Sequence, residues 1–174
     1  GYGVKPFVIS MLETALRVSN NTVDQAILQK IIDLGKGMLE EPVVLLPGVR
    51  QVLEKLQGHF RLIVATKGDL LDQERKLKRS SLSGFFHHIE IMSDKTTESY
   101  QELFNHLETT PEAFLMIGNS MRSDILPPLE LGAYAIHIPY GLTWAHEMNV
   151  KEPEDNDRFH SVERIEDVLQ FFQF

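Results

Sequence analysis

The sequence predicts an α/β fold, a parallel sheet with helices on both faces, with a small α-helical segment ahead of it. Three observations carry this. Phe114 to Ile117 is an uninterrupted apolar run, the pattern of a strand buried on both faces. A polar loop, a short apolar-faced helix and a second apolar run, Tyr134 to Ile138, follow it in the order of a βαβ unit. Two earlier buried runs, Arg61 to Ala65 and Ile89 to Met92, also run into polar stretches and are separated by a helical pattern.

The elements follow in order. Phe7, Val8, Met11, Leu12, Ala15, Leu16 and Val18 recur at helical spacing, and Pro6 suits a first turn, so a helix is expected over 6–18. Asn20-Asn21 breaks it. Thr22 is the expected cap of a second helix through Leu39. Two adjacent amphipathic helices make a hairpin. Glu40-Glu41-Pro42 closes this section, and Pro47-Gly48 punctuates the short apolar run Val43 to Leu46. A helix is expected over 49–56, ended by Gly58, and another over 70–82 with Arg75, Lys76, Lys78 and Arg79 as a solvated basic face. Phe85-Phe86 reads as core. His87 and His88 are neighbours, so in a strand they face opposite ways and make a poor metal pair. Glu98 to Leu107 is helical, and Thr110-Pro111 marks a cap with proline in the first turn. A short helix packed through Ile125, Leu129 and Leu131 ends at Gly132. Beyond the loop at Pro139-Tyr140-Gly141, a helical turn is expected at Trp144 to Met148. An exposed acidic stretch is expected over 150–159, and a last helix over 162–172.

Composition narrows the class. The 174 residues suit one domain, or one domain with a small appendage. Hydrophobic residues at 43% and charged residues at 24% are ordinary for a globular chain with a real core. A net charge of −8 argues against a general nucleic-acid or membrane-surface binder. Cysteine is absent, which removes disulfides, thiolate metal sites and a Cys nucleophile. No apolar run approaches membrane-spanning length and no secretory signal is visible, so a cytoplasmic location is the default expectation.

Three polar stretches end the buried runs. In open parallel sheets, ligands sit outside the carboxyl ends of the strands, so all three fall at one edge. Thr66-Lys67-Gly68-Asp69 offers a hydroxyl and glycine-exposed backbone N–H groups as an anion cradle, or a strand end with Asp69 as helix cap. Lys95 is either a surface residue or a fixed ammonium facing an anionic ligand. Asn119, Ser120, Arg122, Ser123 and Asp124 are crowded into one loop. They are either turn and cap residues, or they include oxygen ligands for Mg²⁺ at Asn119 and Asp124.

Val-Ala-Thr-Lys-Gly at 64–68, Ser-Asp-Lys-Thr at 93–96 and Ile-Gly-Asn-Ser-Met-Arg-Ser-Asp at 117–124 together resemble the haloacid dehalogenase-like hydrolase superfamily. The resemblance covers roughly Leu46 to Gly141, and the helical hairpin resembles the cap that many members insert. It implies a three-layer Rossmann-like core over 42–174 and a partial helical cap over 1–41. It implies a Mg²⁺-dependent phosphatase that acts on a small phosphorylated substrate through an aspartyl-phosphate. Thr66 would hydrogen-bond the phosphoryl group and Lys95 would balance charge, both as catalytic residues. Thr66, Lys67, Gly68 and Lys95 would bind phosphate, and Asn119 and Asp124 would position Mg²⁺. Many members carry a second Asp where Asn119 stands, so this site has one negative charge fewer.

A larger departure lies at the start. The superfamily's first motif is Asp-x-Asp on the first strand, ahead of the cap, and no such pair precedes the hairpin here. Asp155 and Asp157 form the sole Asp-x-Asp, in a polar loop without a preceding strand, and do not suit a nucleophile. The expectation is that this sequence begins inside the cap of a longer protein, with the first strand and its nucleophile upstream; the missing initiator methionine fits. Two rival classes are a non-catalytic binding module on the same fold, and a metal-independent dehalogenase using the same ester chemistry. An unrelated nucleotide-binding fold is disfavoured, because neither Gly-x-Gly-x-x-Gly nor a phosphate-loop lysine motif is present.

Overall fold

A computed structural model describes residues 3–141, 150–154 and 156–173. The helical turn expected at Trp144 to Met148, and Asp155 of the Asp-x-Asp pair, lie outside the described residues. The first amphipathic stripe forms α1 (Val4–Val18) and the second forms α2 (Gln25–Glu40). Asp24, not Thr22, caps α2: its carboxylate accepts the Ala26 N–H at 2.8 Å, while the Thr22 hydroxyl donates back to the Ser19 carbonyl. The carboxylate of Asp24 reaches the first free N–H of the helix, whereas Thr22 is held in the preceding turn. The two helices meet where Gly35 faces Val8. A Cβ on Gly35 would collide with the Val8 side chain, so glycine sets the closeness of the pair. Polar ties hold the hairpin to the rest. Lys5 lies 3.2 Å from Asp69, and Arg79 donates to the Leu39 carbonyl at 2.8 Å.

α3 (Val49–Leu56) buries Val52 and Leu56. β1 (Ile63–Lys67) is displaced two residues from the expected 61–65, so Thr66 and Lys67 belong to the strand itself. α4 (Leu70–Arg79) stops short of Leu82, and its four basic residues are exposed as expected. Phe85 and Phe86 are half-buried. β2 (His88–Met92) starts one residue early, which leaves His87 outside the strand with its Nδ1 accepting the Leu62 N–H. α5 (Thr97–His106), β3 (Leu115–Gly118), α6 (Leu126–Glu130) and β4 (Tyr134–His137) follow. The expected helix over 162–172 is corrected. A short strand, β5 (Phe159–Ser161), pairs with β4, and Ile165–Phe171 forms a 3-10 helix. Val162 and Val168 are the buried anchors of that segment, with Ile136.

The architecture is a three-layer, Rossmann-like α/β fold in which the strand pairs are parallel. β1 pairs with β2, and β3, β4 and β5 pair in that order. Adjacent residues of a strand point to opposite faces, and β4 uses both. Ala135 packs with Met121 and Ile125, and Ile136 packs with Val162 and Val168. α5 contributes Tyr100, Leu103 and Phe104 to a cluster with Met92 from β2 and Met116 from β3. One core therefore spans both groups of strands. Among the described residues, however, β1 is hydrogen-bonded to β2 alone and β3 to β4 alone. Each presents a second edge without a strand.

Candidate active site

β1 runs parallel to β2 and β3 to β4, and the carboxyl ends of β1, β2 and β3 carry Lys67, the Ser93–Lys95 turn and the Asn119–Asp124 loop. The last of these folds into a π-helical turn, Met121–Ile125. Such turns are rare and occur frequently at functional sites. Ser120 caps it: its hydroxyl accepts the Ser123 N–H at 3.1 Å. The Asp124 carboxylate is thereby turned inward. Its Oδ2 accepts the Ser120 N–H at 3.0 Å, and its Oδ1 accepts from the Lys95 ammonium at 2.6 Å. Lys95 and Asp124 are 8% and 6% exposed, so neither is a surface residue. A buried charge requires a partner, and here each supplies the other's. Gly118 makes the approach possible, because a Cβ there would run into the Asp124 carboxylate.

The loop therefore holds both kinds of residue weighed from the sequence. Ser120 is a cap, and Asp124 is a buried carboxylate aimed at a lysine. Asn119 is exposed, and its carbonyl oxygen lies 3.2 Å from His137 Nε2. Lys67 joins the same group from β1. Its ammonium donates to the Ser123 hydroxyl at 2.8 Å and lies 3.7 Å from Asp94 Oδ1. The Lys95 backbone N–H donates to that same Asp94 oxygen at 2.9 Å. Thr66 is half-buried, and its hydroxyl makes long bonds of 3.4 Å to Gln73 Oε1 and 3.5 Å to the Lys67 carbonyl. Gly68 follows with φ +133°, a backbone conformation that side chains rarely adopt and glycine takes freely. Asp69 then caps α4, accepting the Asp72 N–H at 3.1 Å. That N–H, and after it the Lys5 ammonium, hold the Asp69 carboxyl below its usual value.

Two residues of this site escaped the sequence reading. Ser123 was visible only as one polar residue among several, yet it anchors Lys67. Tyr100 fell inside the helix expected over Glu98 to Leu107 without being singled out. It is fully buried, and its hydroxyl donates to the Ser123 carbonyl at 3.1 Å. Burial first, and the nearby negative charge of Asp124 second, push its ionisation far above the ordinary tyrosine value. The only available signal was a hydroxyl on an otherwise apolar face.

The arrangement offers two ammonium groups, a hydroxyl and a glycine-flanked backbone toward an anion, and a carboxylate toward a cation. An ionised carboxylate has about four acceptor positions, and Asp124 uses two of them here. With the Asn119 amide this is an all-oxygen donor set, the chemistry that suits Mg²⁺.

Residues 8–132 match the family of haloacid dehalogenase-like hydrolases. A curated relative, glyceraldehyde 3-phosphate phosphatase of Pyrococcus furiosus, is 26% identical over 116 residues. That alignment covers 63% of this chain and 48% of the relative, so the chain spans about half the relative's length. A solved haloacid dehalogenase-like family hydrolase from Xanthomonas campestris superposes with a TM-score of 0.84 at 32% identity. The match covers 94% of this chain and 68% of that one. A predicted phosphoglycolate phosphatase from Haemophilus somnus shares the fold, with a TM-score of 0.68 at 16% identity over 99% of this chain and 79% of that one.

Proposed function

The chain belongs to the haloacid dehalogenase-like hydrolase family, and from that premise we propose that it works as part of a Mg²⁺-dependent phosphatase acting on a small phosphomonoester. The observation that carries this reading is the buried Lys95–Asp124 pair at the carboxyl edge of the sheet, with Lys67 joined to it through Ser123. The distant phosphatase relative agrees with it.

In this reading the reaction goes through an aspartyl-phosphate, and the attacking Asp belongs to a strand outside residues 1–174. Among the described residues β1 and β3 each have an edge without a strand, which supports that placement: a parallel strand between them would end between Thr66 and Gly118. Lys95 and Lys67 would hold the phosphoryl oxygens and offset their charge. The Thr66 hydroxyl and the backbone N–H groups around Gly68 would orient them. Asp124 and Asn119 would hold Mg²⁺, which as a Lewis acid neutralises charge on a transferring phosphoryl group. Lys95 would also fix the Asp124 carboxylate. The α1–α2 hairpin would act as a partial cap over 1–41 that excludes water and selects the substrate, above a core over 42–174. A cytoplasmic location, where small phosphorylated metabolites are available, belongs to the same proposal.

The test is hydrolysis of an aryl phosphate by the full-length protein, with Mg²⁺ and with EDTA. Turnover that requires Mg²⁺ is expected. Turnover of a haloacid in EDTA would replace the phosphatase by a dehalogenase. Inertness of the folded protein toward both would replace it by a binding role.

A further inference from the structure

A second group of ligating side chains lies toward the other end of β2 and takes no part in the site above. His88 and Glu90 are two residues apart in the strand, so they share a face. Met92, next on that face, shares a hydrophobic cluster with Tyr100, Leu103 and Phe104 of α5, so that face lies on the α5 side. α5 ends at His106, whose ring meets the other two. Glu90 Oε2 is 2.9 Å from His88 Nε2 and 3.4 Å from His106 Nδ1. The three ligand atoms all lie within 4.8 Å of one another. The two rings stand edge to face with centroids 4.8 Å apart.

We propose that His88, Glu90 and His106 form a binding site for a divalent transition metal of the zinc class. Two imidazole nitrogens and one carboxylate oxygen are a zinc donor set that leaves a fourth position for water. Zn–N bonds of about 2.0–2.1 Å in a tetrahedron set ligand atoms about 3.4 Å apart. The Glu90–His106 separation already has that value. The His88–Glu90 hydrogen bond opens by a few tenths of an ångström as the metal displaces its proton, and rotation of the exposed His106 side chain brings its nitrogen in. Nitrogen ligands disfavour Mg²⁺, which takes oxygen, so this site would select a different ion from the oxygen donors proposed at Asn119 and Asp124. His88 and Glu90 are about three-quarters buried, which limits competing water. Arg61 donates to the Leu107 carbonyl, one residue beyond His106. The site joins β2 to the end of α5, so occupancy stabilises that packing by mass action.

The test is titration of ZnCl₂ into the metal-stripped full-length protein in excess Mg²⁺, followed by calorimetry. A parallel CoCl₂ titration reads the visible bands of a tetrahedral site. One saturating equivalent is expected, and His106→Ala and Glu90→Gln should each weaken it by about tenfold or more. His106 is exposed, so its replacement leaves the fold intact. No saturable uptake, or equal affinity in wild type and both variants, overturns the proposal. Phosphatase activity is not the readout, so the result stands apart from the reading of Lys95 and Asp124.

Discussion

Lys95 and Asp124 are 29 residues apart in the chain and 2.6 Å apart in the fold, and both are buried. The pair joins the turn after β2 to the π-helical turn after β3. Removing one partner of a buried ion pair leaves an uncompensated charge, at a cost of about 3–5 kcal/mol.

Lys95→Met is therefore expected to lower stability by an amount of that order and to reduce phosphatase turnover by orders of magnitude. Urea unfolding and steady-state kinetics of the full-length protein measure the two effects. Adding Asp124→Leu removes the stranded charge. The double variant should recover much of the stability and none of the activity, since an apolar pair often replaces a buried ion pair without loss. Near-normal turnover in Lys95→Met would remove Lys95 from the proposed mechanism.

Gly118→Ala places a methyl group against the Asp124 carboxylate. Overpacking of this kind costs about 1–3 kcal/mol. The carboxylate must move, so Mg²⁺ affinity should fall with stability. Gly84→Ala, which meets open space, is the control and should be silent. Equal effects from the two substitutions would mean that Gly118 has no special role.

Tyr100 gives a pH dependence on the alkaline side. Its ionisation in the folded protein lies far above the ordinary 10.0, through burial and then the charge of Asp124. The protonated form is thus favoured by folding. That stability is fully present below pH 10, and it is lost progressively above it as the unfolded chain alone releases the proton. Urea midpoints at pH 9 and pH 11 should diverge in wild type and diverge less in Tyr100→Phe. The variant should also lose about 1 kcal/mol at neutral pH, from the Ser123 carbonyl left without its donor.

Asp69 acts on the acid side. Its carboxyl is held below the ordinary 3.8 by the Asp72 N–H and by Lys5. The ionised form is favoured by folding, so its contribution is present above about pH 4 and is lost as pH falls through the lowered value. Asp69→Asn keeps a cap acceptor without the charge. Thermal melts between pH 5 and pH 3 should fall less steeply in that variant than in wild type. Identical slopes would show that Asp69 does not contribute to the acid transition.

The parallel α/β class was legible because buried strands such as Phe114 to Ile117 advertise themselves by composition, and because Gly118 and Gly132 mark where elements end. Lys95 was legible as a choice between surface and site, and only burial resolves that choice. Asp124 was legible as a polar residue in a crowded loop, but the π-helical turn that aims it inward depends on packing of Met121 and Ile125 beneath β4. Tyr100 and Ser123 were hidden because their bonds span 23 residues and involve a backbone carbonyl, which no local pattern encodes. The segment from Phe159 onward misled because three residues of strand leave too short a period to read, while Val162, Ile165 and Val168 repeat at helical spacing. His88 and Glu90 were separated from His106 by a whole helix, so only the fold unites them.

The edges of β1 and β3 that carry no strand among the described residues also bear on how this chain folds and keeps to itself. Each edge presents a row of backbone donors and acceptors in parallel register, which is a template for strand addition. A strand arriving from a distant part of a polypeptide closes the longest loop and so docks after the local β-α-β pairs have formed. Among the described residues, the two groups of strands are bridged through Lys95–Asp124, Lys67–Ser123, Tyr100–Ser123 and the α5 cluster rather than by strand pairing. Until such a strand docks, the edges accept strands from other copies. Residues 1–174 expressed by themselves should therefore show concentration-dependent light scattering, and a peptide carrying the proposed strand should suppress it.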